Sequence, residues 1–141
     1  MKYSTSGDKH FIFVEKGEKI METITNYCKE NKIDNAAVTG IGAVESTTIG
    51  AFDPASKDYI KVDFPDVLEL VSFIGNITLK DGEPFVHAHA VLGDHGMQVI
   101  GGHVFEMTVA VVGEFVLQKS ETKIRRELNA EIGLATWCTD L

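Results

Sequence analysis

Three histidines in the second half of the chain have the residue type and spacing of a metal site. His87 and His89 are two residues apart, and His103 follows after a turn. Alternate residues of a strand point to one face, so His87 and His89 share a face with their Cα atoms roughly 6–7 Å apart. Neutral imidazole binds Zn²⁺, Ni²⁺, Cu²⁺ and Fe²⁺. Three imidazoles predict an incomplete tetrahedron around a divalent metal, with zinc expected and one position open to water or a ligand.

Whether His103 joins the other two rings depends on the turn between the two strands that carry them. With a three-residue loop ending in Gly96, which tolerates the left-handed conformation, His103 lies directly across from His87. A two-residue loop would instead pair His103 with Val86 and turn its ring to the other face. A bulge at the glycines 101–102 would compensate for that shorter loop. We expect the longer loop and the convergence of the three rings.

Two acidic residues embedded in apolar runs are weaker candidates for chemistry. Glu69 lies within residues 67–77 and Glu114 within residues 107–117, and both runs are otherwise strongly apolar. Each carboxylate either faces outward or is buried with a partner, because an unpaired buried charge is unfavourable. Bonding to the free N–H of a ligand histidine is one such pairing. Structural pairing is favoured over direct catalysis for both.

The elements that must position these residues are mostly strands. Apolar runs and alternation predict strands at residues 11–14, 36–44, 47–52, 59–64, 67–77, 85–92, 97–104 and 107–117. Ile20, Ile24, Tyr27 and Cys28 recur at helical spacing and predict an amphipathic helix of about 14 residues ending near Asn31. A second, short helix is expected at residues 126–132. The fold class is therefore α+β, a single domain (1–141, core about 9–134) with a mostly antiparallel central sheet and one main helix packed on it.

Composition narrows the range of partners. The net charge is −8, with 13 basic and 21 acidic residues, so direct nucleic-acid binding through phosphate neutralisation is disfavoured. No apolar run approaches the ~20 residues of a membrane span, and no signal-like stretch opens the chain, so a cytoplasmic protein without membrane association is expected. Cys28 and Cys138 are expected to be reduced, although a disulfide between them stays open.

The sequence resembles the PPC domain, which is conserved between plants and prokaryotes. The matching stretches are residues 68–77, 84–89 and 101–104, with Glu114, residues 126–128 and residues 133–134 also fitting. The resemblance covers residues 9–134 and implies an antiparallel sheet, a homotrimer, and His87, His89 and His103 as counterparts of the family's metal-binding, usually zinc-binding, histidines. Plant members carry AT-hooks that grip DNA. The sequence has no such basic segment, so we expect it to be of the stand-alone prokaryotic type.

Three functions follow from these observations. The first is a metal-binding domain whose homotrimer presents an open three-histidine site to a small ligand or a protein partner. The second is a metal-dependent enzyme of the hydrolase or lyase type, with metal-bound water as nucleophile and Glu69 or Glu114 as base. The third is a DNA-associated regulator that acts through partners. The first is favoured because no obvious general base lies beside the histidines in sequence.

Overall fold

The computed structural model describes residues 1–138, which form nine strands and one helix. In chain order the elements are β1 (Lys2–Ser6), β2 (Lys9–Val14), α1 (Ile20–Glu30), β3 (Ala36–Asp53), β4 (Asp58–Phe64), β5 (Leu68–Lys80), β6 (Glu83–Gly93), β7 (Val99–Lys119), β8 (Arg125–Asn129) and β9 (Leu134–Cys138). The expected sheet with one main helix is present. The fold is more dominated by its sheet than the α+β expectation implied.

The two longest strands join segments that the sequence pattern separates. Residues 36–44 and 47–52 were predicted as two strands, but both belong to β3. Residues 97–104 and 107–117 likewise merge into β7, which begins at Val99. The pairing of β3 with β7 shifts register at several points, including Gly42/Val44. A β-bulge bends a strand without ending it. The interruptions of the apolar pattern that predicted separate strands are therefore bends within continuous strands.

The pairings form a closed circuit that wraps around the core. β3 pairs with β5, β5 with β6, β6 with β7, and β7 again with β3, all antiparallel. β2 and then β1 extend the sheet from the far end of β7. The short contact of β8 with β5 is parallel, and the remaining named pairings within residues 1–138 are antiparallel.

Helix α1 covers the core with one apolar stripe. Ile20, Ile24, Tyr27 and Cys28 are buried, as their spacing predicted, and the helix ends at Glu30 with Asn31 as its C-cap. Each fully buried side chain of this size contributes roughly 1.5–3 kcal/mol. Cys28 and Cys138 are both free thiols, so the open possibility of a disulfide is not realised in this structure. None of the helical structure in residues 1–138 reaches the length and apolar character needed to cross a bilayer.

The end of the described chain is a β-hairpin where a short helix was expected. β8 and β9 pair antiparallel, with residues 130–133 as the turn between them. The Asn129 side-chain oxygen accepts bonds from the backbone N–H groups of Glu131 and Ile132, and Gly133 adopts φ +84°. These local bonds favour a turn over helix continuation. The prediction of a helix at residues 126–132 was therefore wrong.

Candidate metal centre

The hairpin that carries the histidines differs in register from the expected one. β6 and β7 pair with Gly93 opposite Val99 and with His89, not His87, opposite His103. The predicted pairing of His103 with His87 is therefore wrong by two residues. A shift of two leaves every side chain on its predicted face, because side chains alternate with a period of two. The three histidines consequently still share one face.

The loop has five residues where three were expected, and this difference explains the shift. Residues 94–98 separate the two strands, and the Asp94 carboxylate accepts bonds from the backbone N–H groups of Gly96 at 2.8 Å and Gln98 at 2.9 Å. Met97, and not Gly96 as expected, takes the left-handed conformation with φ 62°. Aspartate commonly organises turns by bonding to backbone groups that follow it. The side chain of Asp94 thus stabilises a loop longer than the short hairpin loops that were expected from the sequence.

The three imidazoles converge on a common point. Their ring centroids are 5.4 Å apart for His87 and His89, 5.0 Å for His87 and His103, and 5.6 Å for His89 and His103. One nitrogen from each ring lies within 4.8 Å of the others, the one such group of metal-ligating side chains found in residues 1–138. Nitrogens around a tetrahedral zinc ion are roughly 3.4 Å apart at bond lengths of about 2.0–2.1 Å. The separations of at most 4.8 Å exceed that value by about 1.4 Å or less.

The surroundings of His103 leave one of its nitrogens available. Its ring stacks on Tyr59 with centroids 4.6 Å apart and meets Phe105 edge-on at 5.0 Å. Its Nδ1 atom is buried without a hydrogen-bond partner among the described residues. A buried polar atom normally has a partner, so an orphan atom of this kind requires an explanation. A metal ion among the three rings would supply the missing partner.

Burial keeps two of the histidines neutral. Desolvation, followed by the nearby Arg126 charge, lowers the pKa of His87 to about 4. Desolvation, followed by the charges of His87 and His89, lowers the pKa of His103 to about 4. Neutral imidazole is the form that binds metals. His89 is exposed, so solvent reaches the cluster and a position on a bound ion would stay open. The donor set therefore fits a divalent metal.

Arg126 is a site residue that the sequence reading missed. Arg126 follows another arginine in a polar segment, a pattern typical of an exposed face, yet it is only 8% exposed. Its Nη2 atom donates to Nδ1 of His87 at 3.0 Å and to the side-chain oxygen of Asn76 at 2.9 Å. Its Nε and Nη1 atoms donate to Thr78 Oγ1 and to the Ala135 carbonyl, both at 3.0 Å. The parallel contact of β8 with β5 places Arg126 there. A contact between strands so far apart in the chain cannot be predicted from the local sequence pattern.

The two candidate carboxylates do not join the histidines. Glu69 is exposed on β5 opposite Gly93, five residues from the β5 residue that pairs with His89. That separation is roughly 16 Å along a strand. Glu114 is exposed on β7 opposite Ile41 of β3. Neither carboxylate belongs to the convergent group.

Cavities flank the cluster on two sides. The larger has a volume of about 520 Å³ and is bounded by His87, His103, Tyr59, Phe85 and Arg126, among other residues. The smaller has a volume of about 300 Å³ and is lined by Ile74, Gly75, Asn76, His87 and His89. Cavities of 300–1,000 Å³ are typical of small-molecule sites.

The fold and the cluster together define a small, sheet-dominated domain with three convergent imidazoles suited to a divalent metal. A family model described as the Plants and Prokaryotes Conserved (PCC) domain matches residues 1–121. The chain belongs to that family, which confirms the resemblance drawn from its motifs. The β8–β9 hairpin, which carries Arg126, lies beyond the matched residues.

Solved structures from several prokaryotes resemble the chain over nearly its whole length. A plant- and prokaryote-conserved protein of Pyrococcus horikoshii is 38% identical, with a TM-score of 0.87 over 96% of this chain and 94% of that one. A metal-containing protein of Archaeoglobus fulgidus is 32% identical, with a TM-score of 0.87 over 97% and 96%. A protein of Bacteroides thetaiotaomicron with a proposed DNA-binding role is 26% identical, with a TM-score of 0.95 over 99% and 98%. No curated protein matches the chain significantly.

Proposed function

We propose that this chain is a metal-binding member of its family, in which His87, His89 and His103 hold one divalent ion, expected to be zinc. The observation that carries the proposal is the convergence of three imidazole nitrogens within 4.8 Å of one another. The Nδ1 atom of His103 supports it, because that buried atom has no hydrogen-bond partner in residues 1–138. The metal-containing relative from Archaeoglobus fulgidus, 32% identical, supports it independently.

The proposed site has three protein ligands and leaves a position for a further group. A bound ion of this kind polarises or acidifies what occupies that position, whether water or a ligand atom. His87 and His103 border the larger cavity, so a small molecule there would approach the ion from the side of these two rings. We therefore favour a site that binds a small ligand or a partner group. The alternative of a metal-dependent hydrolase or lyase requires a general base within hydrogen-bonding reach of that position.

We also propose that the chain forms a homotrimer through an apolar sheet face. A groove of about 730 Å³ on that face is lined by Phe11, Ile41 and Ile74, among other residues, and all three are exposed apolar side chains. Exposed apolar patches of this extent commonly mark contacts between proteins. Ile74 also lines the smaller cavity beside His87 and His89. A subunit contact at this face would therefore reach the edge of the metal site.

Metal content of purified variants tests the ligand assignment. We expect about one ion per chain in the wild type by elemental analysis, and a loss of that ion in His87→Ala, His89→Ala and His103→Ala. His95→Ala is the matched control, because His95 is an exposed histidine in the loop of the same hairpin. An ion that stays in any of the three cluster variants, or that is lost from the control, contradicts the assignment. Circular dichroism of each variant checks that the fold is retained.

A DNA-associated role is the other candidate, and the Bacteroides relative is the observation in its favour. The charge of −8 opposes direct contact with phosphates, so such a role would act through partners in the cytoplasm. Direct DNA binding would appear as an affinity for duplex DNA that falls steeply with salt. We expect no measurable affinity at physiological ionic strength. A salt-dependent micromolar affinity would support this alternative over ours.

A further inference from the structure

Arg126 carries a buried positive charge that has no negative partner among residues 1–138. Its side chain is 8% exposed, and no carboxylate in residues 1–138 forms an ion pair with it. Its bonded acceptors are all neutral: a hydroxyl, a backbone carbonyl, an amide oxygen and an imidazole nitrogen. Burying an ion without a counter-ion is strongly unfavourable. An anion in the adjoining cavity would supply the missing negative charge.

The guanidinium lies in the wall of the larger cavity, where it is not sealed in the core. Arg126 and Lys80 both line this cavity of about 520 Å³, and the side chain of Glu22 is its one acidic lining group within the described residues. Glu22 is exposed, lies on α1 and is near Lys19, whose Nζ is 4.0 Å from its carboxylate. The interior of the cavity is therefore electropositive even before a metal ion is added.

Aromatic rings form the rest of the cavity wall. Arg126 Cζ lies 5.6 Å and Lys80 Nζ lies 5.1 Å from the centroid of the Phe85 ring. Phe105 and Tyr59 contribute two further rings near His103. Apolar walls with a few convergent polar groups are typical of sites for small organic molecules. The cavity could therefore receive the anionic group of a ligand at Arg126 and the flat or apolar part of the same ligand at the aromatic rings.

We propose that this cavity binds a small organic anion, a carboxylate or a phosphate ester, whose charged group is received by Arg126 beside the histidine cluster. The proposal deepens the metal-binding function and rests on it in one respect: a metal ion at the histidines supplies a second contact for the anion. Its four bonds to the protein use four of the five N–H groups of an arginine, so one N–H on Nη1 is left to donate to an oxygen of either group. The apolar part of the ligand packs on Phe85 and Phe105.

Coupling between anion and metal follows from the bond between Arg126 and His87. Arginine can only donate, so Nδ1 of His87 accepts in that bond and its proton is on Nε2. A metal ion on neutral His87 would break the bond to Arg126 in either case: at Nδ1 it would replace the Arg126 donor, and at Nε2 it would move the ring proton to Nδ1, to which Arg126 could no longer donate. An anion that accepts from Arg126 draws the guanidinium toward itself and releases His87 for the metal. Each ligand should then raise the affinity for the other by the same factor, because coupling is reciprocal.

Calorimetric titration with three probes tests the proposal: benzoate, phenyl phosphate and the neutral benzamide. Each is titrated into zinc-loaded and chelator-treated protein, and the two anions distinguish carboxylate from phosphate recognition. We expect at least one anion to bind, benzamide not to bind, and zinc to tighten anion binding. Arg126→Met should weaken anion binding by roughly 10- to 100-fold, the range lost with a charge-assisted bond.

Two further variants control for charge and folding. Lys123→Met removes a positive charge at an exposed position away from the cavity, and should bind the anion as the wild type does. Arg126→Lys keeps the charge but loses the planar guanidinium and the bonds that fix it in place, and should show an intermediate loss. If Arg126→Met does not fold, as judged by circular dichroism, Arg126→Lys and Lys80→Met carry the test, and both should weaken binding.

The outcomes separate this proposal from the metal function. Zinc binding with anions that bind no better than benzamide, or equally well to Arg126→Met, overturns the anion site and leaves the metal site intact. Anion binding that depends on Arg126 in a chain that takes up no zinc supports the anion site and overturns the metal function. Anion binding that weakens equally in Lys123→Met reflects overall charge alone and also overturns the proposal.

Discussion

Gly75 lies beneath the histidine cluster, and adding a single methyl group there should disturb the cluster from behind. A Cβ atom built on Gly75 overlaps the carbonyl oxygen of His87 and lies 2.8 Å from the Ala88 Cβ and 3.0 Å from its Cα. Ordinary carbon contacts are about 3.5–4.0 Å, so β6 must move by roughly 0.7 Å or more. Constellations of ligands need to be held within about 0.5 Å. The substitution Gly75→Ala therefore exceeds that tolerance.

The expected loss has two parts. Overpacking against backbone costs about 1–3 kcal/mol in the free energy of unfolding. For a domain of this size, at about 4 °C per kcal/mol, the thermal midpoint of the metal-free protein should fall by roughly 4–12 °C. Zinc affinity should fall by roughly 10- to 100-fold, the range seen when groups that orient a metal ligand are altered. Differential scanning calorimetry measures the first quantity, and competition with a chelating dye measures the second.

Gly93→Ala is the matched control, since Gly93 lies on β6, the strand that a methyl group at Gly75 of β5 would displace, and its own added Cβ meets Val71 Cγ2 at 3.4 Å. That distance is an ordinary contact, and alanine is favoured over glycine within a strand, so this variant should be as stable as the wild type or slightly more so. Its zinc affinity should not change. Wild-type stability and zinc affinity in Gly75→Ala, or equal damage in both variants, would refute the reasoning.

Three other predictions concern acid stability, thiol reactivity and assembly. Burial lowers the pKa of His87 to about 4 in the metal-free fold, so the unfolded chain binds more protons between pH 4 and 6.5 and stability should fall as pH is lowered through that range. His87→Gln should flatten this dependence in thermal melts, and an equally steep curve would count against it. In Cys138→Ser, the remaining thiol of Cys28, whose pKa burial raises to about 12, should resist alkylation at pH 8 until the chain unfolds, as mass spectrometry would show. Light scattering should give a trimer that Ile41→Glu dissociates while Ile60→Glu, at a similarly exposed isoleucine, does not; a monomeric wild type would contradict the assembly.

The part of the site that depends on side-chain alternation could be predicted from the sequence. His87 and His89 share a face in any strand. His103 lies on the same face in the expected pairing of β6 with β7 and in any pairing shifted from it by an even number of residues. The exact partner could not be predicted, because the loop length depends on bonds from the Asp94 carboxylate to its own turn. The prediction that the three imidazoles converge was therefore correct although the predicted partner of His103 was wrong.

Arg126 shows what local patterns cannot predict. Its position depends on a parallel contact between β5 and β8, two strands far apart in the chain, and on a turn at residues 130–133 that was expected to be helical. An arginine beside another basic residue in a polar segment is typical of an exposed face. The acceptors that hold it come from three other strands: Asn76 and Thr78 on β5, His87 on β6 and Ala135 on β9. Only the tertiary pairing brings them together.

Anomalous diffraction recorded on either side of the zinc edge, from crystals of the zinc-loaded protein, tests the central claim most directly. The edge identifies the element and the difference peak locates the ion. We predict a single strong peak per chain, bonded to one nitrogen each of His87, His89 and His103 at about 2.0–2.1 Å. A peak elsewhere with these three rings unliganded, or no peak at all, would contradict the assignment of the metal centre.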